Sequence, residues 1–208
     1  SQLLYLNSNL SDHHYIGVGR DDGKTKGEYS PIFYNKSNYD LINSDTFWLS
    51  ETPKLISVGW DASMERICTY GLFQQKTSGR SVWVFNTHFD HIGEVARDKS
   101  IDLILKTIKD LTKNNDRIII TGDFNLSDDS KPIKKIQKFY NDVNIDMDNK
   151  SKLYGTFNQF KINSTFQNRI DYIFHKNFIS VESTHRHIKT ENGRWASDHH
   201  PVISLLKF

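Results

Sequence analysis

At 208 residues the chain is long enough for one full hydrophobic core and too short for two, so a single domain covering 1–208 is expected. Hydrophobic residues at 37% and charged residues at 25% exclude a disordered chain, and no stretch approaches the roughly 20 apolar residues of a membrane span. Lys and Arg number 27 against 25 Asp and Glu, a net charge of +2 that argues neither for nor against a polyanionic partner.

Leu3, Leu4, Leu6 and Leu10 predict a short amphipathic helix over residues 2–10. The chain opens on Ser1 rather than Met and carries no signal-like segment, which leaves localisation open. Residues 15–19 read as a strand, and the polar, Gly-rich run 20–28 as an exposed loop in which Arg20 or Lys26 either touches a phosphate or is simply solvated. Two strands, 31–34 and 39–42, are expected to pair around the turn Asn35-Lys36-Ser37-Asn38, with 47–53 closing that unit.

Residues 66–73 and 81–87 outline a long hairpin around the polar turn 77–80, which delivers His88 to one end of a sheet. Cys68, the single cysteine, reads as a small buried hydrophobe and fixes no compartment. Between 93 and 113, Ile101, Ile104, Leu105, Ile108 and Leu111 recur at three- and four-residue steps, one helical stripe facing a sheet. Ile118-Ile119-Ile120 reads as a strand buried on both faces, and Pro132 opens a second helix through Phe139. Residues 141–168 read as surface loops around a short element near 154–157. Residues 169–174 alternate as a strand that sets Asp171 on a different face from Ile170 and Tyr172. A strand near 185–188, a loop at 192–194 and a last strand over 202–206 complete the chain.

Three strand-like runs end in similar chemistry: Asn86-Thr87-His88, Thr121-Gly122-Asp123-Phe124-Asn125 and Ser197-Asp198-His199-His200. Each residue has a plain alternative, since Asp and Asn form turns, a lone His is often structural, and Asp171 would serve equally as a partner for Arg169. Together they are the carboxylate, amide and imidazole set that hydrolysis of a phosphate ester with a hard cation requires. No Gly-x-Ser-x-Gly elbow, His-Glu-x-x-His or P-loop is present to support a serine hydrolase, zincin or nucleotide kinase.

In this order and at these separations, Asn86-Thr87-His88, Gly122-Asp123-Phe124-Asn125, Arg169-Ile170-Asp171-Tyr172-Ile173 and Ser197-Asp198-His199-His200-Pro201-Val202 resemble the endonuclease/exonuclease/phosphatase superfamily. That superfamily includes pancreatic-type deoxyribonuclease, abasic-site endonucleases, neutral sphingomyelinases, inositol-phosphate 5-phosphatases and the deadenylases. Gly19-Arg20-Asp21-Asp22-Gly23, Ser30-Pro31-Ile32-Phe33-Tyr34, Phe47-Trp48-Leu49-Ser50 and His88-Phe89-Asp90-His91-Ile92-Gly93 are most similar to a bacterial branch related to the deadenylases. The resemblance implies an α/β fold, a four-layer sandwich of two packed mixed β-sheets flanked by helices.

It also implies metal-dependent hydrolysis of a phosphodiester or phosphomonoester, with the substrate a nucleic acid, a sugar phosphate or a phospholipid head group, and a monomeric protein. His199 would be the general base, oriented by Asp171 in a buried pair with a nitrogen-to-oxygen distance of about 2.7 to 3.2 Å. His88 would stabilise phosphoryl charge, and Asn125 would bond a phosphate oxygen or the water. Asp123 and Asp198 would serve a Mg²⁺ ion, or Mn²⁺ in its place, with Asp123 also able to position the water. Arg66 would contact phosphate or be a surface arginine. One departure matters: relatives begin with a strand carrying an Asn, then a Gln-Glu pair whose Glu is a principal metal ligand, and neither is found in these 208 residues. The amino-terminal strand is therefore expected to be missing from this chain, and a catalytically impaired phosphate-ligand-binding or scaffold domain stands as the alternative.

Overall fold

The computed structural model describes residues 2–144, 155–161, 168–185 and 189–208. Along the chain run α1 (Gln2–Asn9), β1 (His13–Ile16), β2 (Ile32–Asn35), β3 (Tyr39–Trp48), β4 (Ile67–Gln75), β5 (Ser81–His88), α2 (Glu94–Leu111), β6 (Arg117–Asp123), α3 (Lys131–Gln137), β7 (Asn141–Asp142), β8 (Asp171–Lys176), β9 (Ile179–His185) and β10 (Val202–Lys207).

A six-stranded mixed sheet in the order β3-β4-β5-β6-β8-β7 forms the centre, accompanied by two-stranded ladders β1-β2 and β9-β10. The parallel pair β5-β6 is joined by α2, as a parallel connection requires a crossover; the other pairs in the sheet are antiparallel. Ile101, Ile104 and Ile108 of α2 and Ile133 and Ile136 of α3 are buried against Phe85, Ile118, Ile120, Tyr172 and Phe174 of the sheet, which makes one helical face. On the opposite face Ile16 and Ile32 of the β1-β2 ladder pack with Phe73 and Val82, and Ile119 lies against that second cluster. The isoleucine run of β6 thus serves both cores, as a central strand of an α/β sandwich must.

The hairpin β4-β5, α2 and α3 lie where the sequence places them. Three expectations change. The segments 31–34 and 39–42 do not pair: the turn forms, with Asn38 N donating to Asn35 O at 3.1 Å, but β2 folds back on β1 while β3 pairs with β4 from Tyr39↔Gln75 to Trp48↔Ile67. The turn carries the chain from one layer to another, and the alternative pairing buries Ile16 and Ile32 together against Phe73 and Val82. Residues 141–144 are also not a surface loop, since Asp142 and Val143 are buried and β7 adds an edge to the sheet. Of the strand expected near 185–188, His185 is the last residue of β9 (Ile179–His185), which begins earlier than expected; residues 186–188, and 145–154 and 162–167 of the stretch expected as loops around a short element, lie outside the described residues.

Candidate active site

The site begins as a row across the sheet. The register sets His88 beside Asp123 across the parallel β5-β6 pair and Asp123 beside Asp171 across the antiparallel β6-β8 pair, so three strands end in polar chemistry on one edge. Gly122 makes the approach of β6 to β5 possible: its φ is +148°, and a Cβ there would lie 2.0 Å from the Thr87 carbonyl oxygen. His199 arrives from the turn before β10, held by an antiparallel bridge between Phe157 and His199.

His199 Nδ1 lies 2.8 Å from Asp171 Oδ2, within the expected range, but the pair is partly exposed rather than buried, with side-chain exposures of 27% and 20%. The other imidazole nitrogen, Nε2, stands 3.8 Å from Asp123 Oδ2, and that same oxygen lies 3.3 Å from Nε2 of His88. Burial alone would lower the pKa of His199, yet the hydrogen bond and charge of Asp171, with the charges of Asp123 and Asp198, outweigh it and raise the value above the usual 6.5. Burial and the neighbouring Asp171 carboxylate raise Asp123 above the usual carboxylate range, against the opposing pull of His88, the Asn125 backbone N–H and His199.

A second imidazole–carboxylate pair stands behind the first. Nδ1 of His88 is 3.2 Å from Oε1 of Glu28, whose other oxygen accepts a hydrogen bond from Arg20 Nη1 at 2.7 Å and lies 3.9 Å from Arg66 Nη1. The hydrogen bond from His88, helped by Arg20 and Arg66 and opposed by burial, holds Glu28 at a pKa of about 2. Glu28 went unrecognised in the sequence because it lies in the run 20–28, whose Gly and charge content signals only an exposed loop.

The remaining candidates fall around this centre. Asn125 takes φ +49°, donates its backbone N–H to Asp123 Oδ1 at 2.8 Å and its amide nitrogen to the Phe89 carbonyl at 2.9 Å. Asn tolerates this left-handed turn where most residues do not. Arg66 is buried beside Glu28, its Nε 3.3 Å from Asp90 Oδ2 and its Nη2 3.1 Å from His91 Nδ1. Arg169 pairs with Asp142 at 2.8 Å and leaves Asp171 to His199. Asp198 accepts a hydrogen bond from Ser197 Oγ at 3.3 Å.

Among the described residues, Asp123, Asp171 and His199 form the group whose ligand-type atoms lie within 4.8 Å of one another; Asp198 is outside it. Two crowded carboxylates, one with its protonation favoured by the other's charge, are a donor set that a divalent cation would relieve. His88, Asp123, Asp171 and His199 all open into a cavity of about 510 Å³, and the described residues lining it include no Lys or Arg. A larger groove, about 850 Å³, lies at the other end of the same strands between Ile118 and Lys176, and the described residues lining it include no carboxylate or imidazole.

A profile described as the Endonuclease/Exonuclease/phosphatase family matches residues 6–199. The mannosyl-6-phosphatase of Bacteroides thetaiotaomicron VPI-5482 superposes with a TM-score of 0.91 at 39% identity, over 100% of this chain and 81% of that one. An endonuclease/exonuclease/phosphatase from Bacteroides vulgatus superposes with a TM-score of 0.92 at 35% identity, over 99% of this chain and 80% of that one. TDP2 of D. rerio, in complex with a single strand DNA product, shares the fold at 18% identity and a TM-score of 0.77, over 99% of this chain and 81% of that one. An uncharacterized protein of Acanthamoeba polyphaga mimivirus is 32% identical over 143 residues, covering 67% of this chain and half of that relative's length, 50%.

Proposed function

The chain belongs to the endonuclease/exonuclease/phosphatase family, and from that premise we propose that it hydrolyses a phosphate ester, with a sugar phosphate monoester as substrate, by water that His199 activates. The observation that carries the reading is the joint convergence of His199, Asp171, Asp123 and His88 on one open cavity. With Nδ1 engaged by Asp171, the neutral imidazole of His199 keeps its proton on Nδ1 and presents the Nε2 lone pair to water. Asp171 fixes that tautomer and stabilises the imidazolium that forms. His88 faces a carboxylate with each ring nitrogen, Glu28 at Nδ1 and Asp123 at Nε2, which fixes its ring on the rim of the same cavity, where it would meet the phosphoryl oxygens.

Mg²⁺ suits the oxygen donors here, since it binds through one or two carboxylates and retains several waters. Asp123 and Asp171 would hold it, with Asp198 the next carboxylate along the turn. When bound it would neutralise charge on the phosphoryl and leaving oxygens.

Two observations favour a small monoester over a nucleic acid. The described residues that line the cavity offer no Lys or Arg for a polyanionic backbone, and Arg20 and Arg66 are committed to Glu28 and Asp90. The mannosyl-6-phosphatase is similar over the whole of this chain. Phosphate release from mannose 6-phosphate, measured beside bis-p-nitrophenyl phosphate and single-stranded DNA, with Mg²⁺ and with EDTA, tests the reading. Rapid Mg²⁺-dependent turnover of the sugar phosphate is expected; cleavage of DNA with the monoester untouched would reverse the substrate assignment.

A further inference from the structure

Asp171 and His199 come from elements that do not bond to each other. β8 is hydrogen-bonded to β6 and β7, β10 is paired with β9, and among the described residues no backbone hydrogen bond runs directly between 168–176 and 195–202. A 2.8 Å contact between side chains of two separately anchored segments needs something that fixes the distance between their backbones.

The segment Thr156-Phe157-Asn158 touches both. On the Asp171 side, Thr156 is fully buried, and its Oγ1 accepts hydrogen bonds from the backbone N–H of Ile170 at 3.1 Å and of Asp171 itself at 3.2 Å, while its own N–H donates to the Asn168 carbonyl at 2.9 Å. On the His199 side, the Thr156 carbonyl accepts from His200 N at 2.7 Å, and Asn158 N donates to the Asp198 carbonyl at 2.8 Å. The Asn158 amide, 1% exposed, donates to the Ser197 carbonyl at 3.0 Å and lies 3.3 Å from His200 Nε2. Between these anchors the Phe157 ring rests against the His199 imidazole, with centroids 4.8 Å apart.

We infer that Thr156-Phe157-Asn158 is a splint that sets the Asp171–His199 distance, with Thr156 Oγ1 as a positioning group acting through Asp171. Its catalytic meaning rests on the proposed function; the geometry does not. Both residues flanking His199 are tied to this segment by the backbone, and the first residue of β8 is tied to it by one hydroxyl that accepts two N–H groups. Thr156→Val keeps the shape and removes the acceptor, leaving two backbone donors unsatisfied. Thr156→Ser keeps the acceptor.

Two readouts separate the splint from the enzyme reading. The first is spectroscopic: proton NMR of protein labelled with ¹⁵N-histidine, with the low-field Nδ1–H signal of His199 identified by its disappearance in His199→Ala. That signal is expected in the wild type and in Thr156→Ser, and is lost or moved upfield in Thr156→Val. The second is kinetic: Thr156→Val lowers kcat on mannose 6-phosphate by about ten- to hundredfold with KM little changed, and Thr156→Ser restores it. In an Asp171→Asn background the Val substitution costs less than about twofold, because the group it positions is already gone. If Thr156→Val does not accumulate as folded protein, Asn158→Ala, which loosens the His199 side of the same splint, is read by the same two measures. An unchanged imidazole signal in the loosened variant overturns the splint, whatever the activity does. Full activity in His199→Ala with a lost signal in Thr156→Val would instead leave the splint standing and remove the enzyme reading.

Discussion

Oε1 of Glu28 lies 3.2 Å from Nδ1 of His88, across a sequence separation of 60 residues. The contact pins the 20–28 loop to the edge of the sheet that carries His88, Asp123 and Asp171, and gives His88 a fixed orientation toward Asp123. Because the folded-state pKa of Glu28 is about 2 against an ordinary value of 4.5, its charge contributes stability that is present above about pH 4.5 and is lost as pH falls through about 2. The side chain is half exposed, so solvent screening keeps the contribution small. A melting-temperature difference between wild type and Glu28→Gln is expected at pH 6 and should close between about pH 4.5 and pH 2. A difference that stays constant to pH 2 would mean the Glu28 charge takes no part in holding the loop.

Cation binding should depend on Asp123. Burial and the Asp171 charge make ionised Asp123 costly on its own, so a divalent ion that accepts its oxygens stabilises the folded protein by mass action. Thermal unfolding with increasing Mg²⁺ is expected to move upward in the wild type and to stay flat in Asp123→Ala. EDTA should abolish turnover and added Mg²⁺ restore it. Equal Mg²⁺ shifts in the two proteins would place the ion elsewhere.

Among the described residues the Arg169–Asp142 pair is the most buried ion pair near the site, at 2.8 Å with side-chain exposures of 1% and 0%, and the guanidinium also lies 4.3 Å from the centre of the Tyr172 ring. Arg169→Ala removes the counter-charge of a buried carboxylate, which keeps its hydrogen bond from Asn144 N at 3.1 Å, and is expected to lower unfolding stability by about 3–5 kcal/mol. Urea denaturation checks this; a loss under about 1 kcal/mol would mean that Asp142 finds solvent or another donor.

Sequence patterns revealed the elements that are held by their own periodicity. The three- and four-residue spacing of Ile101, Ile104 and Ile108 requires a helix on a sheet, and the unbroken Ile118-Ile119-Ile120 requires a central strand; both occur. Pairings that depend on distant layers were not legible. The Asn35–Asn38 turn looks like a hairpin locally, yet β2 is claimed by β1 because Ile16 and Ile32 bury together. The ends of the strands bearing His88, Asp123 and Asp171 were legible as chemistry, because polar residues closing apolar runs stand out. Glu28 and Thr156 were not: the first sits in a run of turn formers, the second beside a polar stretch, and their importance lies in partners 60 and 15 positions away.

The central claim is that His199, and not its neighbour, is the base. His200 is 3% exposed, faces Asn158 Nδ2 at 3.3 Å and the Trp195 ring edge-on at 4.9 Å, and therefore serves the fold. The direct test is kcat for phosphate release from mannose 6-phosphate in His199→Ala and His200→Ala, each normalised to folded protein. His199→Ala should lose at least about a hundredfold, the usual contribution of a positioned base, while His200→Ala loses much less and melts at a lower temperature. Equal losses, or a larger loss at His200, would contradict the account.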